Sequence, residues 1–269
     1  MNLPTRTPLR VRHPLRRRLV QVSRIEQISP LMRRIIFSGK DLEGFVTAAA
    51  DDHVKLFFPL PGRDQPTFPE IGPDGRLIPD PNIIARDYTP RRFDPQKHEL
   101  TIEFVLHGEG PAASWAAQAQ PGQWLGIGGP RGSFLVPEDY AAYLLIGDET
   151  ALPAIARRLE EAAPGTNITA IIEIANAREE RPLPTRADAK ILWCHRNEAP
   201  ADDSTILLDA LKNFALPSKD THVWIATEIE TARRLRDYLE TEEALPHAQI
   251  RSAGYWRHGA AEGDGGIGN

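Results

Sequence analysis

The first half of the chain alternates apolar and polar positions, and the second half does not. In Leu100-Thr101-Ile102-Glu103-Phe104-Val105-Leu106-His107, residues 100, 102, 104 and 106 are apolar and share one face of a strand. Leu19–Ile25, Arg34–Phe37, Val54–Phe58 and Trp124–Ile127 also read as strands, with a turn at Pro121-Gly122. A Pro- and Gly-rich stretch from Pro59 to Pro81 reads as a long loop, and Ala112–Ala119 as one short helix. Short strands at this spacing predict a small antiparallel β-barrel.

Beyond about Pro137 the pattern changes. Tyr143-Leu144-Leu145-Ile146 is wholly apolar, as a strand buried on both faces must be. Further strands follow at Ile168–Ile174, Ile191–Cys194, His222–Ala226 and Gln249–Trp256. Between them Leu152–Ala162, Ile206–Phe214 and Thr231–Glu242 carry helical spacing. Alternating strand and helix predicts a parallel sheet with helices on both faces. A length of 269 residues accommodates two such domains.

Composition narrows the function. With 41% hydrophobic and 26% charged residues, the chain matches an ordinary globular protein, and no apolar run reaches the ~18–20 residues of a membrane span. Residues 1–16 are Arg- and Pro-rich and are expected to form a basic flexible arm, with no apolar segment of a secretory signal behind them. A net charge of −5 argues against nucleic acid as the partner. The single cysteine, Cys194, sits in an apolar run, so no internal disulfide forms, and a reducing cytoplasm is the expected compartment. The eight histidines show no H-E-x-x-H spacing and there is no C-x-x-C, so no protein-held metal is expected. Neither G-x-S-x-G nor the P-loop pattern occurs.

Four segments carry chemistry. Arg86-Asp87-Tyr88-Thr89-Pro90 offers a guanidinium for phosphate, an aromatic to flank a flat ring and a hydroxyl for a ring nitrogen. The segment His107 to Ala116 ends a strand, turns through Gly108 and Gly110, and opens a helix with the small Ala112, Ala113 and Ser114, as an anion site at a helix N-terminus requires. Gly129-Pro130-Arg131-Gly132-Ser133 places a cation at the mouth of a strand. Gly147-Asp148-Glu149-Thr150-Ala151-Leu152-Pro153 joins the first buried strand to its helix, where open α/β sheets bind nucleotides, although it is not G-x-G-x-x-G and its acids would repel a pyrophosphate. Each alone also suits a plain structural role.

Together, and with Asp52-His53-Val54-Lys55-Leu56-Phe57-Phe58-Pro59 and the ending Gly254-Tyr255-Trp256, these segments resemble the successive signatures of siderophore-interacting proteins, from about residue 17 to 258. That family belongs to the ferredoxin-reductase-like superfamily and contains ferric-siderophore reductases. The resemblance implies a FAD-binding barrel over residues 17–138, a NAD(P)H-binding α/β domain over 139–258 and a disordered tail over 259–269. It implies FAD as cofactor, NADPH or NADH as donor, and an anionic ferric siderophore as substrate of a monomeric enzyme. Arg86 would meet the FAD diphosphate, Tyr88 flank the ring system, and Thr89 bond near flavin N5. Val105, His107, Gly110, Ala112, Ala113 and Ser114 would hold the adenosine and pyrophosphate portion, with Asp148 and Thr150 from the acidic loop also at the cofactor. Lys55, Arg131 and Arg251 would form a basic triad for the chelate. Around Glu173 to Arg178 the two nicotinamides would be told apart: an acidic Glu173 suits a ribose hydroxyl, and Arg178 a 2′-phosphate. Two other readings stay open, a reductase of the same architecture serving a protein or quinone acceptor, and a non-catalytic carrier of ferric chelates.

Overall fold

The computed structural model describes residues 6–70, 72, 78, 80–106, 110–197, 199–201, 205–257 and 259. The expected tail thus lies outside the described residues, apart from 259. Pro8–Leu135 form one compact unit, and Val136 onward form a second, which Arg6 and Thr7 join.

In the first unit, β1 (Leu9–Arg12) precedes β2 (Arg17–Ser29), β3 (Met32–Ser38), β4 (Val54–Phe57), β5 (Ala85–Tyr88), β6 (Arg92–Asp94) and β7 (Glu99–Val105). Helix α1 (Pro111–Gln118) is followed by β8 (Trp124–Gly128) and β9 (Gly132–Leu135). Seven strands form an antiparallel sheet in the order β5-β4-β8-β2-β3-β7-β6. Its two edge strands, β5 and β6, are separated in the chain by Thr89-Pro90-Arg91 alone. So short a link spans at most ~14 Å between the flanking Cα atoms, so the sheet must curl until its edges nearly meet. The predicted barrel is therefore real, and it has a seam at Tyr88–Arg92. Its interior is filled by Val20, Val22, Ile35, Phe37, Val54, Leu56, Leu100, Ile102, Phe104, Leu125 and Ile127, the alternating inward positions of five strands.

The basic N-terminal segment is not a free arm throughout. β1 pairs antiparallel with β9 from Leu9↔Leu135 to Arg12↔Gly132. Arg6 bonds both carboxylate oxygens of Asp220 at 2.6 and 3.0 Å and Asp139 at 2.9 Å, beneath the ring of Tyr140. Periodicity does not reveal this strand, because its two apolar positions, Leu9 and Val11, are few and set among arginines.

The second unit has β10 (Ala142–Gly147), α2 (Leu152–Glu161), β11 (Asn167–Ile174), β12 (Asp188–His195), α3 (Ile206–Lys212), β13 (Thr221–Glu228), α4 (Ile229–Thr241) and β14 (Ile250–Trp256). The strands form one sheet in the order β12-β11-β10-β13-β14, every pair parallel. Leu144, Ile146, Val223 and Ile225 pack with Leu207 and Leu211 of α3 and Leu235 and Leu239 of α4. Helix α2 covers the opposite face: a Cβ at Gly147 would stand 2.5 Å from Ala151 Cβ and 3.3 Å from Ile155. Glycine at 147 is thus demanded by the close packing of helix on strand. The chain reverses its direction of growth between β10 and β13, and a nucleotide crevice in such a sheet opens at the carboxyl ends of those strands.

Candidate active site

At the barrel seam, Arg86 and Tyr88 are half-buried on β5, and the Tyr88 ring packs 4.5 Å from that of Phe104. Thr89 follows at only 6% exposure. Arg86 Nη1 bonds the adjacent carbonyl of Ala85 at 2.7 Å. Val105 ends β7 and is buried. His107 lies outside the described residues. Gly110 caps α1 with φ −61°, ordinary backbone open to any residue, and a Cβ there would meet nothing within 4 Å. The glycine is therefore not needed for the turn; it leaves open space before the helix. Ala112 and Ala113 are buried, Ser114 is half-buried, Pro111 starts the helix, and its first turn has neither a side-chain cap nor an acid. The first-turn N–H groups and the positive end of the dipole suit an anion. These residues fit a diphosphate-bearing cofactor.

Of the expected substrate cations in this unit, Lys55 on β4 lies directly across from Asp87 on β5, and its Nζ is 2.9 Å from the carboxylate. Arg131 is exposed on the turn between β8 and β9.

In the second unit the strand-to-helix turn after β10 behaves quite differently from the start of α1. Asp148 is 3% exposed and its carboxylate points inward. Oδ1 accepts from Thr150 N and Oγ1 at 2.8 and 2.5 Å, and Oδ2 from Thr227 Oγ1 and Trp256 Nε1, both at 2.8 Å. Its carbonyl accepts from the amides of Ala151 and Leu152. The helix start is thus capped by its own chain, which explains how an acidic loop stands where glycine-rich loops usually bind phosphate. Asp148 and Thr150 fasten the ends of three strands together, a role their motif did not reveal.

Glu173, expected to meet a ribose, is 2% exposed. Its Oε1 accepts from Arg196 Nη1 at 3.1 Å, while Arg196 also grips both oxygens of Glu149 at 2.6 and 2.8 Å. Glu173 is therefore held beneath an arginine and is not presented to a nucleotide. Arg196 escaped the sequence reading; the signal was an arginine one residue past a strand whose neighbours end in acids. Arg178 is exposed in a short turn after β11, its amide bonded to Asn176. Arg251 stands on β14 opposite Trp224, half-buried. Cys194 is half-buried, and burial followed by the charge of Glu173 pushes its thiol up to about 11, so it is no nucleophile.

Known proteins share this arrangement. Residues 21–134 match the siderophore-interacting FAD-binding domain, and residues 140–259 match the siderophore-interacting protein domain. The chain belongs to the siderophore-interacting protein family. Within it, the chain is 38% identical to an NADPH-dependent ferric-chelate reductase of Escherichia coli K12, over 95% of this chain and 99% of that one. It is 29% identical to a ferric vibriobactin reductase of Vibrio cholerae, over 91% of each. The crystal structure of a siderophore utilization protein from T. fusca superposes with a TM-score of 0.90 at 38% identity, covering 96% of this chain and 99% of that one. Family membership assigns FAD to the barrel unit and the fold to the ferredoxin-reductase-like class, which flavohemoglobin and a dioxygenase ferredoxin reductase share at 13% identity, with TM-scores of 0.61 and 0.64. No helix among the described residues is long and apolar enough to cross a membrane.

Proposed function

We propose that this chain is a cytoplasmic, NADPH-dependent flavoprotein that reduces the Fe(III) of anionic ferric siderophores to Fe(II), releasing the iron. The observation that carries the reading is the contrast between the two helix starts: that of α1 has no side-chain cap and open space at Gly110, whereas at that of α2 the Asp148 carbonyl takes the amides of Ala151 and Leu152. The overall balance is NADPH plus two Fe(III) giving NADP⁺, a proton and two Fe(II). FAD supplies the conversion of a two-electron hydride into single electrons.

The chain binds and orients. Arg86 and the α1 amides would neutralise the diphosphate, and Val105, His107, Gly110, Ala112, Ala113 and Ser114 would hold the adenosine portion. Tyr88 would flank the ring system, and Thr89, buried at the seam, would hydrogen-bond to it. In the barrel unit Lys55 and Arg131 would attract the anionic chelate, and Asp87 holds Lys55 extended across the strand pair until it does so. No proton must be abstracted from carbon, so no general base is required. NADPH is the preferred donor because Arg196 removes Glu173 as a hydroxyl acceptor, while the exposed Arg178 remains to meet a 2′-phosphate. The named activity of the Escherichia coli relative agrees.

The test is anaerobic. The purified protein should be yellow, bleach with NADPH faster than with NADH, and regain colour on adding a trianionic ferric catecholate, with two Fe(II) trapped per NADPH. A colourless protein would leave only a carrier. Return of colour with a ferredoxin or quinone but not with the chelate would assign the other acceptors.

A further inference from the structure

The turn that carries Arg131 is anchored at alternate residues, although the Arg131 side chain itself is exposed. Below it lies Arg18 of β2, 4% exposed. Its Nη1 donates to the carbonyl of Gly129 at 2.9 Å and more weakly to that of Arg16 at 3.4 Å, and its guanidinium lies 5.1 Å from the centre of the Phe45 ring. Its Nε is buried without a hydrogen-bond partner, and no carboxylate among the described residues lies within ion-pair distance of it. Burial and the charge of Arg16 oppose its charge, and Asp41, which favours it, forms no ion pair with it. A buried cation without a paired anion is costly, and holding one carbonyl needs only a neutral donor.

Beyond the turn, Ser133 is buried beside Asp52, itself 3% exposed. The Ser133 hydroxyl donates to Asp52 Oδ2 at 2.7 Å, and the same oxygen accepts from Thr47 Oγ1 and from the amides of Ala48 and Ala49. A carboxylate can only accept, so the serine proton goes to Asp52, and Ser133 Oγ is left to accept from His13 Nε2 at 2.8 Å. Between these two anchors the carbonyl of Arg131 accepts from the amide of His13 at 2.9 Å. Residues 129, 131 and 133 are therefore each tied down, from three different segments of the chain.

We propose that Arg18 and the Asp52–Ser133 pair are positioning residues for Arg131. They hold its turn in the one geometry that meets an anionic chelate, and Arg18 adds positive potential beneath it. A cation on a fixed turn loses less freedom on capturing its ligand than one on a mobile turn, and a buried charge is little screened by salt. This inference rests on the reading of Arg131 as a chelate contact.

The test uses the FAD-loaded protein, steady-state kinetics with a trianionic ferric catecholate and with an uncharged ferric hydroxamate, and the variants Arg18→Met, Ser133→Ala and Arg131→Ala, singly and combined. Arg18→Met and Ser133→Ala should each raise KM for the catecholate about five- to tenfold with kcat within about twofold, lowering the catecholate-to-hydroxamate ratio of kcat/KM. In the Arg131→Ala background neither should add further loss. Full additivity in the double variants would overturn the proposal. So would unaltered KM in both single variants while Arg131→Ala raises it, which would leave the role of Arg131 standing. No effect of Arg131→Ala itself would overturn both. If Arg18→Met fails to fold, Ser133→Ala decides alone, since removing one hydroxyl leaves the Asp52 carboxylate with three donors.

Discussion

Nη1 of Arg196 lies 3.1 Å from Oε1 of Glu173, and both side chains are buried at the carboxyl end of the parallel sheet. Removing the cation takes from buried Glu173 its charge pair with Arg196 and from Glu149 a bidentate one. Arg196→Met should therefore cost about 3–5 kcal/mol of unfolding free energy. Adding Glu173→Gln should restore part of the loss, because the amide carries no charge to desolvate, while Glu149 stays without Arg196. Urea denaturation of the two variants measures both effects, and an unchanged midpoint for Arg196→Met would show that the pair is not stabilising.

Asp148 is read as a fastener within the second unit, not as a ligand of the cofactor. Asp148→Ala leaves the half-buried Trp256 indole N–H, the buried Thr227 hydroxyl and the Thr150 amide without their acceptor. A loss of about 2–4 kcal/mol in stability follows, with full FAD content per folded molecule. Calorimetry combined with the flavin-to-protein absorbance ratio separates the two roles, and a stable but FAD-poor variant would contradict this assignment.

Arg86→Ala should do the reverse. Loss of a charge-assisted phosphate contact costs about 1.5–3 kcal/mol, or one to two decades in FAD affinity, with little change in the stability of the second unit. Dialysis followed by flavin quantitation checks it, and full FAD retention would remove Arg86 from the diphosphate site.

His222, on β13 against the rings of Tyr140 and Tyr143, supplies a pH dependence. Burial, aided by the charges of Arg158 and Arg251, pushes its pKa down to about 3. The unfolded chain takes up this proton near pH 6.5 and the folded one does not, so the contribution is nil above that value. Stability falls as pH drops from about 6.5 toward 3, by at most about 1.4 kcal/mol per pH unit. His222→Phe should flatten this part of the stability curve measured by denaturant titration. An equal slope in wild type and variant would place the acid sensitivity elsewhere.

The elements that hydrophobic periodicity makes legible are those with a continuous buried face. β7 alternates cleanly over the barrel core, and β10 is apolar throughout because helices cover both of its sides. β5 and β6 are only four and three residues long, too short for a period to register, and β1 is a four-residue strand whose apolar Leu9 is exposed. The site divides in the same way. Arg86 stands two residues from Tyr88, and the small residues of α1 follow one another, so the chemistry of each group is visible as a motif. Arg196 acquires meaning only when three strands bring Glu149 and Glu173 beside it, and Asp148 only when Thr227 and Trp256 arrive from far along the chain. Local sequence shows which groups are present, while the direction in which an acid points depends on partners 79 and 108 residues away.

The clamp made by Arg6 has a consequence for the order of events at the ribosome. Its partners Asp139 and Asp220 follow it by 133 and 214 residues, so Arg6 must wait until both have been made. Meanwhile Pro8–Leu135 is complete as a sequence and free to fold behind it. The second unit, by contrast, cannot complete its sheet until β14 has been made, and the Arg6 contact draws the strap back over a residue made 214 positions later.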